Sequence, residues 1–235
     1  MQATTFVLVH GAWHGGWCWR RVADLLTKAG HRVFAPTLTG LGERSHLINA
    51  DVNLSTHISD VVNLMQWERL SKVVLCGHSY GGFVVSGVAE RMQDAIASMV
   101  FVDAFVPENG DTMASSVSPA TRAHIDAAVG KGDATMAPIP AAVFHVNEKD
   151  RAWVDGLCVP QPLATFMEPI ALTGARERVA RKTFIRGRGY PSPSFDAALS
   201  KVRADPSWRA FELPCGHDIM VDMPEALADI LLASA

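Results

Sequence analysis

Gly77-His-Ser79-Tyr-Gly81 is a G-x-S-x-G pentapeptide. It stands between the apolar run Val73-Val-Leu-Cys76 and a helical stretch from Tyr80. A sharp strand-to-helix turn holds such a serine in a strained backbone and projects its Oγ into a pocket. Side chains at residues 77 and 81 would obstruct that turn. A serine hydroxyl needs a base to take its proton. Of nine histidines, His217 in Gly216-His217 follows the last strand and precedes the last helix. That places it beside Ser79, in the chain order expected of a serine followed by its base. His78 is expected to point away from the pocket. His31, His57, His124 and His145 carry no positional signal, and solvated or capping roles are expected for them.

The acid that holds the imidazole is harder to place. One usual position is the loop Arg186-Gly-Arg-Gly-Tyr-Pro-Ser-Pro-Ser-Phe, which holds no carboxylate before Asp196. Asp103 instead ends the apolar run Met99-Val-Phe-Val. A buried unpaired carboxylate there would be costly, and pairing with His217 would explain it. Asp103 is the expected acid, with Asp196 and Asp218 as fallbacks. His10-Gly-Ala-Trp-His-Gly-Gly16 follows the first strand. Such a loop lets backbone N–H groups point into a pocket. The expected oxyanion donors are the amides of Ala12 and Tyr80. Trp13 is expected to pack, with a place in the pocket wall open to it. Trp17 and Trp19 are expected to pack, and His10 and His14 to hold the loop by hydrogen bonds.

Positioning these residues requires a particular set of elements. Strands are expected at Phe6–His10, His31–Phe34, Lys72–Cys76, Ser98–Val102, Thr183–Arg186 and Trp208–Leu213. Helices are expected at Trp17–Ala29, Ser55–Trp67 with Ser55 as N-cap, Tyr80–Arg91, Ala175–Arg181, Phe195–Val202 and from Pro224. Alternating strands and helices imply βαβ units: a six-stranded, mainly parallel sheet with helices on both faces. The alternation stops from about 106 to 172, which reads as a cap inserted into a single domain spanning 1–235. Pockets in such sheets open at the carboxyl ends of the strands.

With 235 residues and 49% apolar composition, the chain can bury one sizeable core. A net charge of −3 gives no reason to expect nucleic acid or an anionic membrane as partner. Cys18, Cys76, Cys158 and Cys215 form no C-x-x-C pair and no zinc-site spacing, so no metal is expected and Cys76 reads as a core residue. No apolar run is long enough to span a bilayer, and none reads as a signal peptide. A reduced, cytoplasmic setting is expected.

The opening Leu8-Val-His-Gly-Ala-Trp-His-Gly-Gly-Trp17, the serine turn and Gly216-His217 together resemble the plant methylesterase and hydroxynitrile lyase branch of α/β-hydrolases and its bacterial relatives. The likeness covers the sheet, about two thirds of the chain. It implies Ser79 and His217 as catalytic residues, the Ala12 and Tyr80 amides as oxyanion hole, and no cofactor. The lyases carry threonine where this chain has Gly11, and lysine after the histidine where it has Asp218. Both departures point to ester hydrolysis. The methylesterases place their acid near Gly189. The reaction expected is cleavage of a small carboxylic ester, with an apolar or aromatic portion, through an acyl-enzyme. Alternatives on the fold are a C–C hydrolase, a hydroxynitrile lyase, a cofactor-free dioxygenase and a non-catalytic binder. Met113, Phe144, Trp153, Leu157 and Phe166 are the candidates for an apolar pocket or cap core.

Overall fold

The computed structural model describes residues 3–235. Six strands, β1 (Thr5–Val9), β2 (Arg32–Phe34), β3 (Val73–His78), β4 (Ile96–Val102), β7 (Arg181–Gly187) and β8 (Trp208–Leu213), form one sheet. Their order is β2-β1-β3-β4-β7-β8, and every neighbouring pair is parallel. The strands between the edges are almost wholly buried, as apolar runs sandwiched by helices must be. Helix α1 (Arg20–Lys28) carries the chain from β1 outward to β2. Then α2 (Leu54–Trp67) carries it back past β1 to β3, and α3 (Gly81–Met92) on to β4. With right-handed crossovers, these opposite directions place α1 and α2 on opposite faces. The reversal between β1 and β3 is the switch point where such sheets open a crevice. The loops after β1 and β3 are the two that carry Ala12 and Ser79.

Between β4 and β7 lie α4 (Met113–Ser116), α5 (Pro119–Lys131), β5 (Thr135–Met136), α6 (Glu148–Leu157), β6 (Gln161–Pro162) and α7 (Ala164–Met167). Strands β5 and β6 pair antiparallel as a small separate ribbon. The chain ends with α8 (Pro193–Arg203) before β8, then α9 (Ile219–Asp222) and α10 (Pro224–Ala233) after it. The segment from 106 to 172 is therefore more helical than its sequence suggested.

Two expectations fail locally. Residues 175–180 are a run of turns and bends leading into β7, which begins at Arg181, not a helix: Arg176 is turned inward to donate to the Pro107 carbonyl at 2.8 Å. Helix α2 is capped by Asn53, whose Oδ1 accepts from Thr56 N–H at 2.9 Å. Ser55 lies inside the first turn and donates to Glu168 at 2.5 Å.

A half-buried ion pair ties the inserted segment to the helix after β1. Arg21 on α1 grips Asp150 on α6 with two nitrogens, at 2.7 and 2.8 Å. The same guanidinium donates to the Val221 carbonyl. The Arg21 hydrogen bonds hold the Asp150 carboxyl down at about 2. A carboxylate whose pKa is lower folded than unfolded stabilises the fold above its unfolded value, and loses that contribution as pH falls through the folded one. Acid titration should therefore open the attachment of α6 between about pH 4 and pH 2. Asp150→Asn should abolish this step, as read by Trp153 fluorescence against pH.

Candidate active site

Ser79, Asp103 and Arg186 lie in register across the sheet. His78 pairs with Val102 and Val102 with Ile185, so the three follow one row of the sheet: Ser79 and Asp103 are the first residues past β3 and β4, and Arg186 is still within β7, paired with Glu212. Ser79 N–H donates to the Val102 carbonyl at 3.3 Å, and Asp103 N–H to that of Ile185 at 2.6 Å. Ser79 has φ 53°, Asp103 φ 41° and Trp13 φ 65°, all in the left-handed region that non-glycine residues rarely adopt. Strain of this kind costs about 1–3 kcal/mol per residue and persists only where surrounding packing enforces it. Here the packing is close: a Cβ on Gly77 would lie 2.6 Å from the Gly81 carbonyl oxygen, and one on Gly81 2.8 Å from that of Val9.

His217 Nδ1 donates to Asp103 Oδ2 at 2.7 Å. Phe195 stacks on its ring at 5.3 Å, with Tyr190 and Phe144 at 5.0 and 5.2 Å. Asp103 is fully buried. Its Oδ1 accepts from Arg186 Nη1 at 2.8 Å and from Gly187 N–H at 2.9 Å. Arg186, also buried, reaches on to Asp196 Oδ1 at 2.9 Å and to the Tyr190 carbonyl at 2.6 Å. The structure thus brings Ser79 and His217 to one cavity at the carboxyl ends of the central strands, with Asp103 bonded to the far side of His217. Asp196 does not reach His217: it binds Arg186. Asp218 turns away to His14, whose Nε2 donates to Asp218 Oδ2 at 3.1 Å.

The loop around Gly189 supplies the opposite charge to the one looked for there. Arg186 and Gly187 N–H serve as donors to a carboxylate carried by β4. Arg186 escaped notice because a basic residue at the end of a strand reads as solvated.

Ser79 and His217 line one cavity of about 290 Å³. Trp13, Phe105, Met113, Phe144, Tyr190 and Phe195 supply much of its wall, and among the described residues no Asp, Glu, Lys or Arg lines it. Of the apolar candidates, Met113 and Phe144 reach this cavity. Phe166 is buried against Trp13 and Tyr80, and Trp153 packs edge-on against Trp17. Leu157 is exposed.

The amides of Ala12 and Tyr80 are buried, and among the described residues neither donates to another group. Buried N–H groups are nearly always paired, so two free ones beside one serine mark a place for an acceptor. A Cβ on Gly11 would lie 2.9 Å from both His78 Nδ1 and Ser79 Cβ, so threonine does not fit there without a shift.

Of the remaining histidines, His46 and His124 are exposed and the others hold local structure. His78 lies outside the cavity wall and donates from Nε2 to the His217 carbonyl at 3.1 Å. His57, expected at the surface, is buried. It accepts from the Tyr80 hydroxyl at 3.1 Å and donates to the Thr39 carbonyl at 2.9 Å, and burial lowers its pKa to about 4. His31 Nδ1 accepts from Thr4 N–H, and His145 donates to the Gly189 carbonyl. All four cysteines are free, with Cys76 fully buried. Among the described residues no helix is long and apolar enough to cross a membrane. His78, His217 and Asp218 place one potential ligand atom each within 4.8 Å of one another. In this cluster the free oxygen of Asp218 faces the His78 N–H at 3.7 Å, and His217 already binds Asp103.

The profile of the family described as "Alpha/beta hydrolase family" matches residues 6–230. The chain is 45% identical, over 97% of its length and 98% of the relative's, to a "Carbendazim hydrolyzing esterase" of Nocardioides sp. (strain SG-4G). It is 38% identical to "Methylesterase 2" of Arabidopsis thaliana over 48% of this chain and 47% of that one. A solved extracellular alpha/beta-hydrolase from a Paenibacillus species superposes with a TM-score of 0.86, at 23% identity, over 99% of both chains. Matched over nearly its whole length, the chain belongs to the alpha/beta hydrolase family, and within it is an esterase.

Proposed function

We propose that the protein cleaves small, uncharged carboxylic esters with an aromatic or apolar portion, through an acyl-enzyme on Ser79. The carrying observation is that Ser79 and His217 share one small cavity with uncharged walls, while Asp103 holds the far side of His217.

In this reading the bond to Asp103 keeps the proton on His217 Nδ1, leaving Nε2 to receive the Ser79 hydroxyl proton. Oγ attacks the ester carbonyl carbon. The carbonyl oxygen becomes negative and takes hydrogen bonds from the Ala12 and Tyr80 amides. The protonated His217 then gives its proton to the leaving alcohol. Water enters, loses a proton to His217 and attacks the acyl carbon, releasing the acid. Each step conserves the proton that His217 shuttles, and no step needs a cofactor. The segment from about 106 to 172 acts as a cap within a single domain: it contributes Met113 and Phe144 to the wall and narrows the cavity to about 290 Å³.

A charged substrate would have to shed its hydration among aromatic rings with no counter-charge. Aromatic methyl esters, a p-nitrophenyl ester series and carbendazim are the probes. Neutral aromatic esters should show kcat/KM at least about tenfold above analogues carrying a free carboxylate, since each tenfold is about 1.4 kcal/mol of desolvation difference. Equal or reversed preference would remove the substrate assignment. A fluorophosphonate should label the protein at Ser79. Absence of labelling, with hydrolysis intact, would remove the acyl-enzyme.

A further inference from the structure

Two peptide units meet at Ala12, and between them they carry four polar groups. The Gly11 carbonyl accepts from His10 Nδ1 at 2.8 Å. The Ala12 carbonyl accepts from His14 Nδ1 at 2.8 Å. The Trp13 N–H donates to Gln161 Oε1 at 2.9 Å. The fourth group, the Ala12 N–H, donates to nothing among the described residues. We propose that His10, His14 and Gln161 are positioning residues, fixing both peptide planes so that the Ala12 N–H stays aimed at the oxygen that becomes negative during ester cleavage. The proposal rests on the reading of Ser79 given above.

Each of the three is buried and held by a second partner. His10 Nε2 accepts from Leu38 N–H at 3.0 Å, which leaves the proton on Nδ1 for Gly11. Burial drives the pKa of His10 down to about 3, so it stays neutral. Gln161 Nε2 donates to Thr165 Oγ1 at 2.8 Å, which orients its Oε1 toward Trp13. Gln161 belongs to β6, so the inserted segment grips the loop. It does so twice more: Val159 N–H donates to the Trp13 carbonyl, and Trp13 Nε1 to that of Met136. Preorganised donors of this kind need no rearrangement as charge develops.

His14 is the arm that can titrate. Its two nitrogens both face acceptors, the Ala12 carbonyl and Asp218 Oδ2, so both bonds require a proton on each. Burial opposes that charge, but the Asp218 carboxylate outweighs it and the pKa of His14 is raised overall. Asp218, despite burial, is held far below the usual carboxylate range by His14. Two other histidines and two thiols nearby are kept neutral by burial. His10 and His78 are lowered by burial, and the thiols of Cys18 and Cys158 are raised by it, Cys158 to about 12. His217 is the chain neighbour of Asp218. As pH rises through the raised pKa of His14, one nitrogen loses its proton. Either the Ala12 carbonyl loses its donor or Asp218 faces a lone pair. A group with a raised folded pKa stabilises its arrangement below that value and not above it, so the clamp loosens on the alkaline side.

The test uses Asp218→Asn and His14→Gln on one side of the loop and Gln161→Leu on the other. Each should lower kcat about 10–100-fold, short of the ~10²–10³ for losing the donor outright, with KM within about threefold. Asp218→Asn should move the alkaline limb of kcat to lower pH, and His14→Gln should remove it. Unchanged kcat, or parallel change in kcat and KM with the limb unmoved, would overturn the proposal. Imidazole NMR of the resting protein gives a readout free of catalysis: His14 should carry protons on both nitrogens at pH 7. A single proton there would overturn the His14 arm. If Ser79→Ala retains hydrolysis while His14 is doubly protonated, the reading of Ser79 is what has failed, not the clamp.

Discussion

Ser79→Ala is expected to lower kcat for ester hydrolysis by about 10⁴–10⁶-fold, the range seen when a serine nucleophile acting with its histidine is removed. KM should change little, because the aromatic walls that hold the substrate are untouched. What remains would come from the two amides and from binding alone. The strain at Ser79 supplies a second, independent measurement. With φ 53° enforced by its neighbours, Ser79 sits where glycine would be content. Ser79→Gly should therefore raise the thermal midpoint, by up to about 1 kcal/mol in stability, while losing as much activity as the alanine variant. A protein that is more stable and inert ties the strained turn to function. Activity within tenfold of the parent in either variant would remove Ser79 from the chemistry.

The legibility of this site in the sequence followed the range of the interactions concerned. Ser79 was visible because its turn is local: two glycines, a strand before and a helix after. His217 and Asp103 were visible because strand ends are where such sheets open. The cap helices were not, since α4 and α7 have four residues each and α5 has an even mix of alanine and polar side chains. The helix expected at 175–181 failed because Arg176 and Arg178 bond outside their own segment, to Pro107 and Gln93. Gln161 and Arg186 were invisible for a related reason. Gln161 meets Trp13 across 148 positions of sequence, and Arg186 meets Asp103 across 83. A glutamine in a proline-rich stretch and an arginine after an apolar strand announce nothing by composition.

The proposed acid carries the other large effect. Asp103→Asn should lower kcat about 10⁴-fold, because the amide cannot hold the imidazole in the tautomer that bares Nε2 to Ser79. It should also destabilise the fold by about 3–5 kcal/mol, because Arg186 is left buried without its main counter-charge. The two effects are separable. Arg186→Met added to Asp103→Asn removes the stranded cation, so the thermal midpoint should recover while activity does not. Moving the carboxylate to the place the plant methylesterases use should fail here. A Cβ on Gly189 would lie 2.7 Å from the Cys215 carbonyl oxygen, and the Gly189 carbonyl already accepts from His145. The double variant Asp103→Asn/Gly189→Asp should thus be no more active than Asp103→Asn and less stable. Rescue by Gly189→Asp would mean that the loop can reshape to carry the acid. Full activity in Asp103→Asn would mean that His217 works without one. The expected failure of both follows from one pairing: in this chain the end of β4 holds the carboxylate and β7 the buried cation bonded to it, so neither can be moved alone.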